Sequence, residues 1–211
     1  MVVLAMDTCL GACSAAVVDR GALLGARSEP MMRGHQERIA PIVDELMEQL
    51  KLGFSAIDRI GVTVGPGSFT GLRVGIAFAK GLALSLHRHC AGVGTLEALA
   101  ATAKLTGPVA AVVDAGRGNV YLQVFVAGRS VKPADVLGLD HAAEWLAGRG
   151  DLENLSIVGP GARLLEARLH ACRFVDLNAP SPQSVARLAW RARVGPMMPL
   201  YLRSPGAVQR P

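Results

Sequence analysis

The sequence predicts an α/β fold of two duplicated lobes, the second reduced relative to the first. Two observations carry this. Residues 2–18 (VVLAMDTCLGACSAAVV) and 109–126 (VAAVVDAGRGNVYLQVFV) share one layout: an apolar strand, an Asp, a turn with Gly four positions on, and a second apolar strand. Each of these openings is followed by alternating strand and helix patterns, as expected of a duplicated α/β unit. At 211 residues and 51% hydrophobic composition, the chain is large enough to bury a core in each unit.

After the first hairpin, Ala22–Ser28 reads as a third strand. Residues 35–51 read as a helix, because Ile39, Ile42, Val43, Leu46, Met47 and Leu50 recur at helical spacing on one face. Glu37, Asp44, Glu45 and Glu48 lie off that stripe. The β-branched run in Arg59–Val64 is a strand, stopped by Gly65-Pro66-Gly67. Two glycines and a proline there make a rigid turn into a helix over 70–87, with Thr70 as its expected N-cap and an N-terminus able to face an anion. That helix is apolar around its whole circumference, which predicts burial on more than one side. Gly71, Gly75, Ala79 and Ala83 recur every four residues, a ridge that admits another backbone closely. Either the first helix of this chain or a partner protein would lie against it. A third helix starts at Thr95–Ala103.

The second unit opens with Val109–Val126. Short strands are expected at Ser156–Val158 and Arg173–Val175, and helices near 139–148, 161–171 and 182–194. Pro180 and Pro182 bracket the start of the last helix, and Gly195-Pro196 stops it. The boundary between the units is placed at 104/105, giving lobes 1–104 and 105–211. Three strands followed by α/β/α, and then the same opening again, is the layout of the actin-like ATPase fold shared by sugar kinases, Hsp70 and actin.

Composition narrows the function. The most apolar stretch, Leu72–Leu86, is short for a membrane span and carries Arg73 and Lys80. Asp7 interrupts the first apolar run and no basic leader precedes it. A soluble, cytoplasmic protein is the expectation. Cys9, Cys13, Cys90 and Cys172 form no C-x-x-C and no zinc pattern, so they read as reduced thiols. The net charge of +5 belongs to the second half: residues 104–211 hold 13 Lys/Arg against 8 Asp/Glu, whereas residues 1–103 hold 9 of each. Such a half can sit near RNA phosphates or be an ordinary solvated surface. With 4% aromatic residues and no RNA-binding motif, direct base recognition has no support.

No nucleophile–base pair and no H-E-x-x-H are present, so a peptidase has nothing to stand on. Asp7 and Asp114 are the nucleotide-site candidates, since carboxylates after the first strand of each unit are placed to hold a magnesium-nucleotide. Both can equally fix their own turns through side-chain hydrogen bonds. The first turn lacks the glycine-rich run of a strong phosphate site. The second, Ala115–Gly118, is richer in glycine, and Arg117 is able to reach a phosphate. Weak or vestigial nucleotide affinity is expected. His35 reads as an N-terminal helix residue.

GPGSFTGLRVGIAFAKGLA at 65–83 closely resembles the signature of the TsaB (YeaZ) family. So do AMDTCLGACSAAVVD, GHQERIAPIVDELM, TLEALA, VDAGRGNVYLQVF and PLYLR, in the family's order over nearly the whole chain. The resemblance implies the actin-like fold and a noncatalytic role in placing threonylcarbamoyl on adenosine 37 of tRNAs reading ANN codons. It implies pairing with a catalytic TsaD-like ligase and a TsaE-like ATPase, contact with tRNA through that complex, and a homodimer when the chain is alone. It implies no cofactor of its own, with magnesium-ATP bound weakly or at the complex interface. The two first-lobe helices would carry the interface through His35, Ile39, Val43, Met47, Gly71, Gly75, Ala79 and Ala83. The ligase's metal site includes two histidines four apart; the comparable positions here are Thr95 and Leu99, which bind no metal, with Glu97 between them. The rival reading is a small ATPase or kinase of the same fold with its own nucleotide site.

Overall fold

The structure is a computed structural model that describes residues 1–150, 152–192 and 197–202. Its first sheet is formed by β1 (Val2–Asp7), β2 (Ala12–Asp19), β3 (Ala22–Pro30), β4 (Arg59–Gly65) and β5 (His89–Gly94). The strand order is β3-β2-β1-β4-β5, antiparallel through the meander and parallel from β1 onward. The second sheet has β6 (Val109–Gly116), β7 (Asn119–Val126), β8 (Arg129–Gly138), β9 (Ser156–Val158) and β10 (Arg173–Val175). Its order, β8-β7-β6-β9-β10, repeats the first with the same pairing senses. The duplication inferred from two hairpins therefore extends to all ten strands. The last two strands of the second sheet have three residues each, which makes that lobe the reduced one.

Helix α1 (His35–Gln49) buries the predicted stripe against Leu4, Met6 and Val17. Helix α2 (Phe69–Leu86) starts one residue before Thr70, and its N-cap is Ser68, whose hydroxyl accepts from Gly71 N at 3.3 Å. By length and composition α2 is apolar enough to cross a membrane, yet a third of it is buried on β4 as a core helix. Helix α3 (Thr95–Ala103) lies between the sheets, with Leu96 and Leu99 packed on Val109, Ala111 and Val113. Helix α4 (Leu139–Ala147) covers the second sheet through Ala142, Ala143 and Leu146.

Four elements differ from expectation. Strands β5 and β8 carry no strong alternating pattern and went unpredicted. Residues 161–171 form only a 3-10 turn at Ala162–Leu165, because Gly161 lies against the backbone of Val113 and Asp114 and supplies no capping side chain. Helix α5 (Pro182–Arg191) was expected to run to 194; it ends at Arg191, and residues 193–196 lie outside the described ones.

Helix α5 belongs to the second half of the sequence but packs on the first sheet. Val185, Ala186 and Ala189 close over Val3, Ala5, Ala16 and Val18. A Cβ on Gly61 would sit 2.3 Å from the Ala189 Cβ, so glycine sets how close the helix comes. The Arg59 guanidinium donates to the carbonyls of Ala189, Trp190 and Ala192 at 2.8–3.1 Å, which caps the negative end of α5.

Candidate functional site

The glycine signature clasps the first hairpin turn. Thr8 Oγ1 donates to Gly71 O at 2.7 Å, and Ser68 N donates to Cys9 O at 2.8 Å. A Cβ at Gly67 would lie 2.6 Å from Cys9 O, at Gly71 2.0 Å from Thr8 O, and at Gly75 2.4 Å from Thr8 Oγ1. The close approach predicted from the small-residue ridge is real, but the approaching backbone is the chain's own. Gly71, Gly75, Ala79 and Ala83 are all buried beneath α2, so the reading of them as a partner surface is corrected.

Of the other predicted interface residues, Ile39 and Met47 are corrected on the same ground, whereas Val43 lines the groove between α1 and α2 and His35 the cleft at their N-termini. Ile39, Val43 and Met47 are fully buried core side chains under α1. His35 is also buried, with its Nε2 3.3 Å from Leu10 O. The hydrophobic stripe that made these positions conspicuous faces the sheet, as an amphipathic helix in a globular lobe does. The surface α1 and α2 show outward is a different set. Val74, Phe78 and Leu82 follow one another at four-residue spacing and are partly buried against the first core, and Leu84, on another side of the helix, is 77% exposed. Phe78 and Leu82 meet Ala40, Pro41 and Phe54 in a groove of about 530 Å³. Asp44 and Glu48 are exposed on α1, and Arg73 and Lys80 on α2.

The segment Met197–Leu202 borders this face. Met197 is buried in the first core, and Leu200 N donates to Val64 O at 2.7 Å. The Tyr201 ring lies 5.6 Å from Phe69, over which the Arg73 guanidinium stacks at 3.7 Å. Leu200 and Tyr201 of the PLYLR stretch are thus docked, and Arg203 lies outside the described residues.

Asp7 and Asp114 occupy equivalent strand positions in unlike surroundings. Asp7 is wholly buried; its Oδ1 accepts from Thr63 Oγ1 at 2.5 Å and from Cys9 N at 3.1 Å, while its Oδ2 has no partner. Burial pushes this carboxyl above its usual range, and the Thr63 and Cys9 hydrogen bonds pull the other way. Asp114 is exposed, and its Oδ1 accepts from Gly116 N at 2.7 Å, an Asx turn. Arg117 is exposed, with a left-handed φ of 54°.

The first turn does not fit a phosphate. Its Cys9 amide is spent on Asp7 and its Gly11 amide on Asn178 O at 3.1 Å. Leu10 packs into the apolar cluster between the sheets with Tyr121, Val175 and Leu177. The second turn is open and cationic through Arg117, but Asp114 is already engaged with its own backbone. Among the described residues, no cluster of His, Cys, Asp and Glu is placed to hold a metal ion. Thr95 and Leu99 are both buried, and Glu97 between them is an exposed residue whose carboxyl is pushed up by partial desolvation.

Comparison with known proteins agrees with this frame. Residues 25–182 match the family model described as TsaD: tRNA N6-adenosine threonylcarbamoyltransferase. An uncharacterized protein of Mycobacterium tuberculosis is 35% identical over 97% of this chain and 93% of its own length. The Escherichia coli tRNA threonylcarbamoyladenosine biosynthesis protein TsaB is 39% identical over 57% of this chain and 53% of its own length. The structure of YeaZ from Pseudomonas aeruginosa superposes with a TM-score of 0.80 at 28% identity, covering 95% of this chain and 99% of that one. A dehydratase activator from Clostridium difficile, solved with bound ADPNP, shares the actin-like fold alone, with a TM-score of 0.54 at 10% identity over 91% of this chain and 94% of that one. With its two five-stranded lobes, and a family match and full-length structural likeness that agree, the chain belongs to the TsaB/YeaZ-like branch of the threonylcarbamoyltransferase family.

Proposed function

We propose that this chain is a noncatalytic scaffold in the formation of N6-threonylcarbamoyladenosine at position 37 of tRNAs reading ANN codons. It pairs with a TsaD-like ligase, supports a TsaE-like ATPase, and meets tRNA within that assembly. The observation that carries the reading is the outer face of α2. Val74, Phe78 and Leu82 form an apolar stripe, between acidic side chains on α1 and basic ones on α2, that the described residues cover only in part. Such a face pairs with the ligase, or with a second copy when the ligase is absent. The sealed first turn supports the absence of a strong nucleotide site of its own.

Two experiments test this. Phe78→Glu and Leu82→Glu place charge on the groove and spare the fully buried Leu72, Ile76 and Ala79. The doubly substituted chain stays folded but elutes apart from the ligase in size exclusion with light scattering; normal pairing overturns the assignment of this face. Reconstitution with ligase, ATPase, threonylcarbamoyl-AMP synthase and tRNA then yields modified nucleoside only when this chain is present. Equal product without it overturns the scaffold reading. Micromolar magnesium-ATP binding with steady hydrolysis by the chain alone would revive the kinase-like alternative.

A further inference from the structure

The PLYLR stretch brings a second aromatic ring to the first turn of α2, at a place the apolar stripe of that helix does not include. Phe69 opens α2, and Tyr201 arrives from the far end of the sequence beside the Leu200 N to Val64 O hydrogen bond of 2.7 Å. The two ring centroids are 5.6 Å apart, with an interplanar angle of 36°. The Arg73 guanidinium lies 3.7 Å over the Phe69 ring, and its Nε donates to Tyr201 Oη at 3.4 Å. Phe69 is 44% exposed and Tyr201 42%, in a chain with only 4% aromatic residues. Rings gathered and left in water mark a contact surface more often than rings scattered singly.

The cluster has two unmet needs, and together they identify the partner. The rings offer π surface to water, and no carboxylate is bonded to Arg73 among the described residues. A purely apolar partner would cover the rings but strand the guanidinium without water or counter-ion. An unpaired nucleotide meets both needs. Its base stacks on an aromatic ring or a guanidinium plane, and its phosphate pairs with the cation. The hydrogen bond to Tyr201 and the stack on Phe69 hold the Arg73 head in place before anything binds. A further cation stands nearby: Arg33 is exposed and lines, with Thr70, the cleft of about 300 Å³ that adjoins Phe69. Glu37 lines the same cleft, but its Oε1 already accepts from Gln36 Nε2 at 2.8 Å.

We infer that Phe69, Arg73 and Tyr201 form a stacking platform for an unpaired nucleotide of RNA, with Arg33 beside it for an adjoining phosphate. This deepens the proposed role, and rests on it in one point: within the assembly, the RNA is the tRNA.

Fluorescence anisotropy of the full chain with a labelled, unstructured oligouridylate tests it, against a duplex of the same length. The single strand is expected to bind more tightly than the duplex, whose bases are already stacked. Tyr201→Ala is expected to weaken binding about 5- to 150-fold, the cost of one lost base stack. Tyr201→Phe keeps the ring and is expected to bind as the wild type does. Arg73→Gln is expected to reduce the salt slope of the binding constant by about 0.7, the share of one phosphate on a single strand. Circular dichroism melting checks that each variant is folded. Tyr201→Ala should still pair with the ligase in size exclusion. A wild-type chain that binds the oligonucleotide but does not pair with the ligase fails the scaffold reading alone. No binding of the single strand at low salt, equal binding of the duplex, or wild-type affinity in Tyr201→Ala overturns the platform. Loss of ligase pairing in Tyr201→Ala with RNA binding unchanged assigns the rings to a protein partner and overturns it as well.

Discussion

Replacing Gly71 by Ala adds one methyl group and tests how the glycine signature works. The new Cβ would stand 2.0 Å from Thr8 O, so roughly 1.4 Å must open before the contact reaches van der Waals distance. Backbone meets backbone here, so no side-chain rotation relieves it. Moving α2 outward also stretches the buried Thr8 Oγ1 to Gly71 O bond of 2.7 Å. Overpacking costs about 1–3 kcal/mol and the weakened buried hydrogen bond about as much again, while the better helix propensity of Ala returns about 1 kcal/mol. The expected net loss is about 2–4 kcal/mol. Equilibrium unfolding in urea followed by circular dichroism should show the midpoint falling by about 1–2 M with the slope unchanged. A midpoint at or above that of the wild type would refute the idea that glycine is held there by the hairpin.

Gly81→Ala is the converse on the same helix: a Cβ there meets nothing within 4 Å, so urea midpoints should rise, by about 0.5–1 kcal/mol in stability. Asp7→Asn reports on the buried carboxyl. Burial raises the folded value of Asp7 above 3.8, so the native state holds the proton more tightly than the unfolded chain. Wild-type stability should therefore fall relative to Asp7→Asn as pH climbs from about 4 to that raised value and level off above it, and the pH-dependent difference should vanish below about 4. A pH-independent gap in urea midpoints would count against this. Arg59→Met keeps the aliphatic stem but loses three carbonyl contacts at the end of α5, for a cost of about 1.5–3 kcal/mol. Unchanged hydrogen-exchange protection in α5 would show that Arg59 does not hold the helix down.

Patterns set by nearest neighbours were legible in the sequence. The α1 stripe and the paired hairpins follow from periodicity and turn chemistry, and both stand in the fold. What a pattern packs against was not legible. The four-residue ridge of α2 announced a close neighbour, but local spacing cannot say whether that neighbour is Thr8 or another protein. The same limit hid the outward face, since Phe78 and Leu82 look no different in sequence from Leu72 and Ile76. Asp7 and Asp114 share one motif, yet one is sealed and the other exposed. The first turn is closed by Leu177 and Asn178, more than 160 residues away in the chain. Strand β8 was missed because Pro133 and its mixed polar residues suit an edge strand, which needs no alternation.

The return of α5 to the first sheet bears on how the protein is made. On the ribosome, strands β1 to β5 emerge early, but the face bearing Val3, Ala5, Ala16 and Val18 has no helix across it until residue 191 has left the exit tunnel. For most of synthesis that apolar face is open to water and to other nascent chains. The first half is therefore expected to need a chaperone's cover while the second half is being translated. Cleavage between the halves would expose the same surface, so they should be degraded together rather than one at a time.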